Sequence, residues 1–237
     1  ITVHMGHKPE NIEGAELVVY TAAVKQDNPE LVAAREKGIK TVERSEMLGF
    51  VSDHYKESIA ISGTHGKTTT TAMLTQVLMG CKMDPSAIIG GKLPFIGGNS
   101  VVGKSDIIVC EACEYVNTFL QMHPAISVIL NVDADHLDFF KNLDNIKKSF
   151  NQFAKQTSQL LVINGDDKNS VECTADVNLK KLFYGFDSKN DYYAANYQKG
   201  EGVSQSFDLM SDGKLITKIT LNVPGKHNVL NALAAIT

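Results

Sequence analysis

An α/β fold with a mostly parallel sheet and a small antiparallel part follows from three features of this 237-residue sequence. Short apolar runs alternate with segments of helical length and spacing, the rhythm of strands joined by helical crossovers. Two of those runs, "SDIIVCE" and "AISVILNV", are apolar without alternation, as strands covered on both faces are. Towards the end the pattern turns strictly alternating, and Asp212-Gly213 supplies the tight turn of an antiparallel hairpin.

Taken in order, the first part, residues 1–57, reads βαβα. It opens on a strand-like "ITVH", then "AELVVYTAA" is a buried strand and "NPELVAAREKG" a helix closed by Gly38. "IKTVE" is the next strand and "SEMLGFVSDHY" the next helix. This is a partial Rossmann-like unit. Such a unit carries a glycine-rich turn after its first strand, and none precedes Ile1, so the reading is of a domain whose start is missing. A second rhythm occupies 58–237. "SIAIS" is a strand and "TTTTAMLTQVLMG" a helix, with Leu74, Val77 and Leu78 on one face and Gly80 as its stop. "NLDNIKKSFNQFAKQ" is amphipathic, "QLLVING" is a strand, and "SFDLMSDGKLITKITL" is the hairpin. "HNVLNALAAIT" is a helix with no stop signal, so both ends of the chain read as cut.

Composition narrows the function classes. Hydrophobic residues make up 43% and charged residues 21%, which places the chain among folded globular proteins rather than disordered ones. The net charge is −4 and no basic block stands out, which speaks against nucleic-acid or anionic-membrane partners. No apolar run approaches the roughly 20 residues of a membrane-spanning helix, and no basic-then-apolar leader opens the chain. A cytoplasmic protein is the expectation. Cys110 and Cys113 form a lone C-x-x-C without a second pair or a nearby His pair. Cys110 lies in a buried-strand pattern and reads as a small hydrophobe.

The stretch "IAISGTHGKTTTTAM", 59–73, carries the chemistry. A strand runs into two glycines, a lysine and hydroxyl residues, and a helix follows. Gly63 and Gly66 let backbone N–H groups converge on an anion, and the helix N-terminus adds its dipole. Lys67 is placed to reach β and γ phosphates, and Thr68 is the one threonine of the run spaced to ligate Mg²⁺. The match to G-x-x-x-x-G-K-[ST] is partial, because Ile61 stands where the leading glycine belongs. Two more polar groups fall at carboxyl ends of buried strands, where ligands of open α/β sheets gather. They are Glu111 in "IIVCEACEYVNTFL", and the cluster Asp133, Asp135, His136 and Asp138 in "SVILNVDADHLDFF". Glu111 and His136 are candidate metal ligands beside a triphosphate; spacing does not choose among the three aspartates, and a solvated acidic loop is the plain alternative. In "VPGKHNVLNALAA", Asn228 and Asn231 share a helix face. Their amides suit the edge of an adenine, with helix capping as the alternative.

Together and in this order, "SGTHGKTTTTAML", "EACEYVNTFL", "NVDADHLDFF" and "PGKHNVLNALAA" resemble the Mur ligase family over nearly the whole chain. That family uses a T/S-G-T-x-G-K-T turn, which accounts for Ile61. The resemblance implies a P-loop central ATPase domain over 58–237, preceded over 1–57 by the back of a UDP-substrate domain. It implies nucleotide contacts from Gly63, Thr64, His65, Gly66, Lys67, Thr68 and Thr69, and adenine contacts from Asn228, Asn231 and, more weakly, His227. Lys67, Glu111 and His136 become the catalytic set, and Thr68, Glu111 and His136 the metal set, for ATP and Mg²⁺. The implied reaction activates a muramyl carboxylate as an acyl phosphate for attack by an amine, with UDP-N-acetylmuramate and L-alanine as small-molecule substrates. A family relative that recycles murein peptide on the same nucleotide sugar is the rival, and a nucleotide-binding fragment without activity is the third reading. One segment departs from the family's usual E-A-D-E-S-D. Cys113 and Val116 replace two aspartates and Tyr115 the serine, while Glu111 and Glu114 are kept.

Overall fold

The computed structural model describes residues 2–237. Contacts divide the chain into two compact units, Ile1–Val51 and Ser52–Thr237.

In the first unit, strands β1 (Leu17–Tyr20) and β2 (Lys40–Glu43) pair in parallel, joined through helix α1 (Pro29–Glu36). Helix α2 (Arg44–Ser52) follows. Asn28 caps α1 by accepting the Glu30 N–H at 2.9 Å, with Pro29 in the first turn. The far end closes as a Schellman motif: Gly38, at φ 67°, donates to Arg35, and Ile39 donates to Ala34 at 2.8 Å. Ile12, Ala33 and Ala34 form the small core, with Val18 and Ile39 against it. Residues 2–4, expected as strand, belong to no strand, and Ile1 lies outside the described residues.

The second unit is built on a ten-stranded sheet. Its parallel centre comprises β3 (Glu57–Ser62), β4 (Ser86–Leu93), β6 (Ile107–Glu111), β7 (Ile126–Ile129), β8 (Leu160–Asn164) and β9 (Lys180–Gly185). One edge is antiparallel through β5 (Gly98–Val101) on β4. The other runs through β10 (Tyr192–Lys199), β11 (Gln205–Ser211) and β12 (Lys214–Leu221). The β11–β12 turn is the expected Asp212-Gly213, with both residues at positive φ as a two-residue hairpin turn requires. Helix α3 (Lys67–Gly80) follows β3, and the short helix α4 (Leu137–Phe140) follows β7; helix α5 (Leu143–Gln156) buries Ile146, Phe150 and Phe153, and the short helix α6 (Lys168–Cys173) follows β8. Helix α7 (Lys226–Ile236) packs on α3. Leu74 of α3 is buried, but Val77, expected on the same face, is 42% exposed. It lies in the turn where α3 runs out towards solvent, and Thr70, Thr71 and Thr75 take the buried face instead.

The sheet order sets the site. Strand β3 has β6 on one side and β7 on the other, with Ile61 opposite Glu111 and Ser62 opposite Ile129. The chain leaves β3 to one side and later returns to its other side, so a crevice opens at the carboxyl ends of these three strands.

Candidate active site

The turn that leaves β3 is shaped by what cannot stand there. Gly63 has φ 136°, and a Cβ on it would lie 2.9 Å from the Cβ of Leu130. Gly66, the cap of α3, has φ 91°, and a Cβ there would lie 2.5 Å from Asn231 Oδ1. Both positions therefore need glycine for conformation and for space. Asn131, just past β7, clamps the turn: its Oδ1 accepts from the His65 N–H at 2.7 Å and its Nδ2 donates to the His65 carbonyl at 2.9 Å. Thr64 N–H donates to the Asn131 carbonyl, and Thr64 Oγ1 accepts from the Asp133 N–H at 2.9 Å. The first α3 bond in this turn is Thr70 N–H to Gly66. The N–H groups of Lys67, Thr68 and Thr69 thus begin a helix with no carbonyl one turn back, the arrangement that accepts an anion.

Two side-chain pairs border this turn. Thr68 Oγ1 donates to Glu111, 2.9 and 3.0 Å from its two carboxylate oxygens, and the Gly90 N–H holds the same carboxylate at 2.8 Å. A Cβ on Gly90 would lie 2.5 Å from Glu111 Oε2, so a larger residue there would displace the Glu111 carboxylate. Thr68 and Glu111 thus present hard oxygen donors side by side, the chemistry that suits Mg²⁺. Lys67 Nζ donates to the Gly63 carbonyl at 2.6 Å and to both oxygens of Glu114, at 2.9 and 3.1 Å. His136 sits differently from Thr68 and Glu111. Its Nε2 is 3.9 Å from Glu114 and 4.0 Å from Asp135, and the Tyr115 ring covers it at 4.6 Å between centroids. Among the described residues no group of three or more His, Cys, Asp or Glu side chains is arranged to hold a metal ion. The structure therefore brings together two of the three expected metal residues, Thr68 and Glu111.

The aspartates near His136 separate by role. Asp133 uses its backbone N–H on Thr64, Asp135 caps the His136 N–H at 2.7 Å, and Asp138 lies 3.5 Å from the Tyr115 hydroxyl. Cys110 is buried in β6 as expected, its thiol pushed up to about 12 by burial, and Cys113 is exposed; neither is in a disulfide.

On the other flank of the turn, a cleft of about 140 Å³ lies between the glycine turn, the ends of β7 to β9, and α7. His65, Gly66, Asn131, His227 and Asn231 line it. Asn231 Nδ2 donates to Asn228 Oδ1 at 3.1 Å, and Asn228 Nδ2 donates to the Pro224 carbonyl at 2.7 Å. The two asparagines are thus linked, and neither caps the helix, whose cap is Gly225. Tyr184 also lines the cleft, and its buried hydroxyl has no hydrogen-bond partner among the described residues. Burial also pushes that phenol's pKa up. Leaving such a group unpaired costs about 1–3 kcal/mol.

A model of the Mur ligase middle domain matches residues 61–237. The chain belongs to the Mur ligase family. A second model, described as Mur ligase family, catalytic domain, matches residues 1–56. Among Mur ligases, the chain is 48% identical over 236 residues to the UDP-N-acetylmuramate–L-alanine ligase of Clostridium botulinum, covering 99% of the chain and 51% of that protein. The enzyme of the same name from Acetivibrio thermocellus is 44% identical, again over 51% of its length. The chain therefore spans about half the length of the curated relatives it matches. Solved structures give the same family. The UDP-N-acetylmuramate-alanine ligase of Thermotoga maritima superposes with a TM-score of 0.84 at 31% identity, over 97% of this chain and 52% of that one. A UDP-N-acetylmuramate:L-alanyl-γ-D-glutamyl-meso-diaminopimelate ligase from Neisseria meningitides superposes with a TM-score of 0.86 at 25% identity, over 98% of this chain and 76% of that one.

Three residues of the candidate site were not legible as site residues in the sequence: Asn131, Glu114 and Gly90. Asn131 ends an apolar run with a polar group, a signal that was present. Gly90 lies in a strand whose two glycines hid it.

Proposed function

We propose that the chain is the nucleotide-binding part of an ATP-dependent ligase that joins L-alanine to UDP-N-acetylmuramate. The observation that carries this reading is the glycine turn with Lys67 inside it and Thr68 hydrogen-bonded to Glu111. Residues 58–237 form the ATP-binding domain and 1–57 the back of the UDP-substrate domain, in a cytoplasmic enzyme.

ATP bound here supplies the phosphoryl group that converts the muramyl carboxylate into an acyl phosphate open to attack by the alanine amine. Gly63, Thr64, His65, Gly66 and Thr69 form the backbone cradle for its phosphates. Lys67 offsets charge on the transferred group. Thr68 and Glu111 would hold Mg²⁺ through oxygen, and His136, across from Glu114, adds the third polar group of the catalytic set. Asn228, Asn231 and His227 orient the adenine in the cleft. Leu130, which is buried, and Leu230 supply the apolar part of the cleft lining.

A second reading, the peptide-recycling ligase, is favoured by Tyr115 and by the superposition on the Neisseria protein. The higher identity to the alanine-adding relatives favours the first. The test is a chimera in which this chain replaces the matching half of the C. botulinum relative. ADP formation that requires UDP-N-acetylmuramate and L-alanine, and is lost in Lys67→Ala, is the expected result. Turnover with a preformed peptide but not with L-alanine would overturn the first reading in favour of the second.

A further inference from the structure

We propose that Glu114 is the buried counter-charge of Lys67 that sets how tightly the glycine turn holds a polyphosphate. This deepens the nucleotide reading above and rests on it.

Glu114 is a carboxylate with 2% of its surface exposed, and both its oxygens face one cation. Lys67 Nζ, for its part, has three N–H bonds and four acceptors around it: the Gly63 and Thr64 carbonyls, at 2.6 and 3.2 Å, and the two Glu114 oxygens. The only other ionisable group placed against Glu114 among the described residues is His136, at 3.9 Å. The two glutamates of the E-A-C-E segment therefore divide the work. Glu111 bonds the Thr68 hydroxyl and the Gly90 N–H, while Glu114 takes the ammonium.

The consequence is electrostatic. A phosphate oxygen arriving at the turn meets a lysine already neutralised by a buried carboxylate, and it competes with that carboxylate for the same N–H groups. Part of the attraction between Lys67 and polyphosphate is offset by the loss of the Lys67–Glu114 pair and by repulsion between two anions in a poorly screened site. Affinity for a bound nucleotide is held down, while Nζ stays fixed at the mouth of the turn by Gly63 and Thr64. An enzyme gains rate from contacts that strengthen as charge develops, not from contacts that bind reactant and product equally tightly. Glu114 moderates the second kind.

The experiment is calorimetric titration of ADP, in excess Mg²⁺, into the 237-residue chain. Glu114→Gln keeps the shape and one acceptor while removing the charge, and Glu114→Asp draws the charge back from Nζ. The expected order of affinity is Gln, then Asp, then wild type, with Gln about tenfold and Asp about threefold tighter than wild type. If Glu114→Gln does not fold, Glu114→Asp still decides the matter. A folded variant that binds ADP no more tightly than wild type would overturn the proposal. If wild type binds, Lys67→Ala weakens it and the Glu114 variants do not tighten it, only this inference fails. If folded wild-type chain binds no ADP, the nucleotide reading fails and this inference with it.

Discussion

The turn after β3 and the loop after β6 both carry backbone in the left-handed region, but they reach it with different residues. After β3 the positions are Gly63 and Gly66. After β6 they are Val116, at φ 53°, and Asn117, at φ 58°, and His136 at φ 50° follows β7. Glycine enters that region without a steric cost, whereas a β-branched residue there gives up about 1–2 kcal/mol. The first turn keeps its shape by its own covalent nature. The second is held by its neighbours: Asn117 N–H donates to the Glu114 carbonyl, Thr118 Oγ1 donates to the Cys113 carbonyl, and Ser149 donates to the Asn117 side chain. Phe119 anchors it by stacking on Phe153 at 4.7 Å and meeting Phe150 edge-on at 5.2 Å. A loop held this way places Glu114, Tyr115 and, through the Tyr115 ring, His136 only while the core beneath is intact.

The largest expected effect breaks that support. Phe119, 1% exposed, loses its stacking in Phe119→Ala, and denaturant unfolding should show about 3–5 kcal/mol less stability. The glycine turn should be locally unaffected, so the His65 amide shift should stay in place while the Tyr115 and His136 signals move. Equal movement of both would erase the distinction between the regions.

Gly66→Ala reverses the comparison. The new Cβ meets Asn231 Oδ1 and is held at an unfavourable φ, so about 1–3 kcal/mol of stability is lost. Nucleotide affinity falls with it, because the cradle and the cleft share this contact. Unchanged affinity by calorimetry would mean that the cleft beside Asn231 takes no part in binding. Val116→Gly is the smallest change and has the opposite sign. It relieves the left-handed strain at a side chain that is 43% exposed, and thermal unfolding should show a gain of about 1 kcal/mol.

The same contrast explains what the sequence disclosed. Glycines, the lysine and the hydroxyls of 63–69 announced the turn, because each residue type there has a local physical reason. Strands β3, β6, β7 and β8 were legible in apolar runs, and the hairpin in Asp212-Gly213. Strands β4, β5, β9 and β10 were not. Gly90 and Gly91 interrupt β4, the first against Glu111 and the second against Thr68, and β10 mixes exposed polar residues with tyrosines. The roles of Glu114 and Asn131 were hidden for another reason. Both act through partners 47 and 66 positions away, Lys67 and His65, and such pairings are set by the register of β3 with β6 and β7. The place of His136 beside Tyr115 and Glu114, rather than on Glu111, likewise depends on two loops that carry no local signal.

The Thr68–Glu111 pair is expected to give a metal-bound nucleotide its seat. The measurement is the affinity of a non-hydrolysable ATP analogue as Mg²⁺ is raised from zero to excess, in wild type and in Glu111→Gln. Wild type should tighten by about tenfold or more with Mg²⁺, and Glu111→Gln should lose most of that gain while keeping its metal-free affinity. The same Mg²⁺ dependence in both proteins would contradict it.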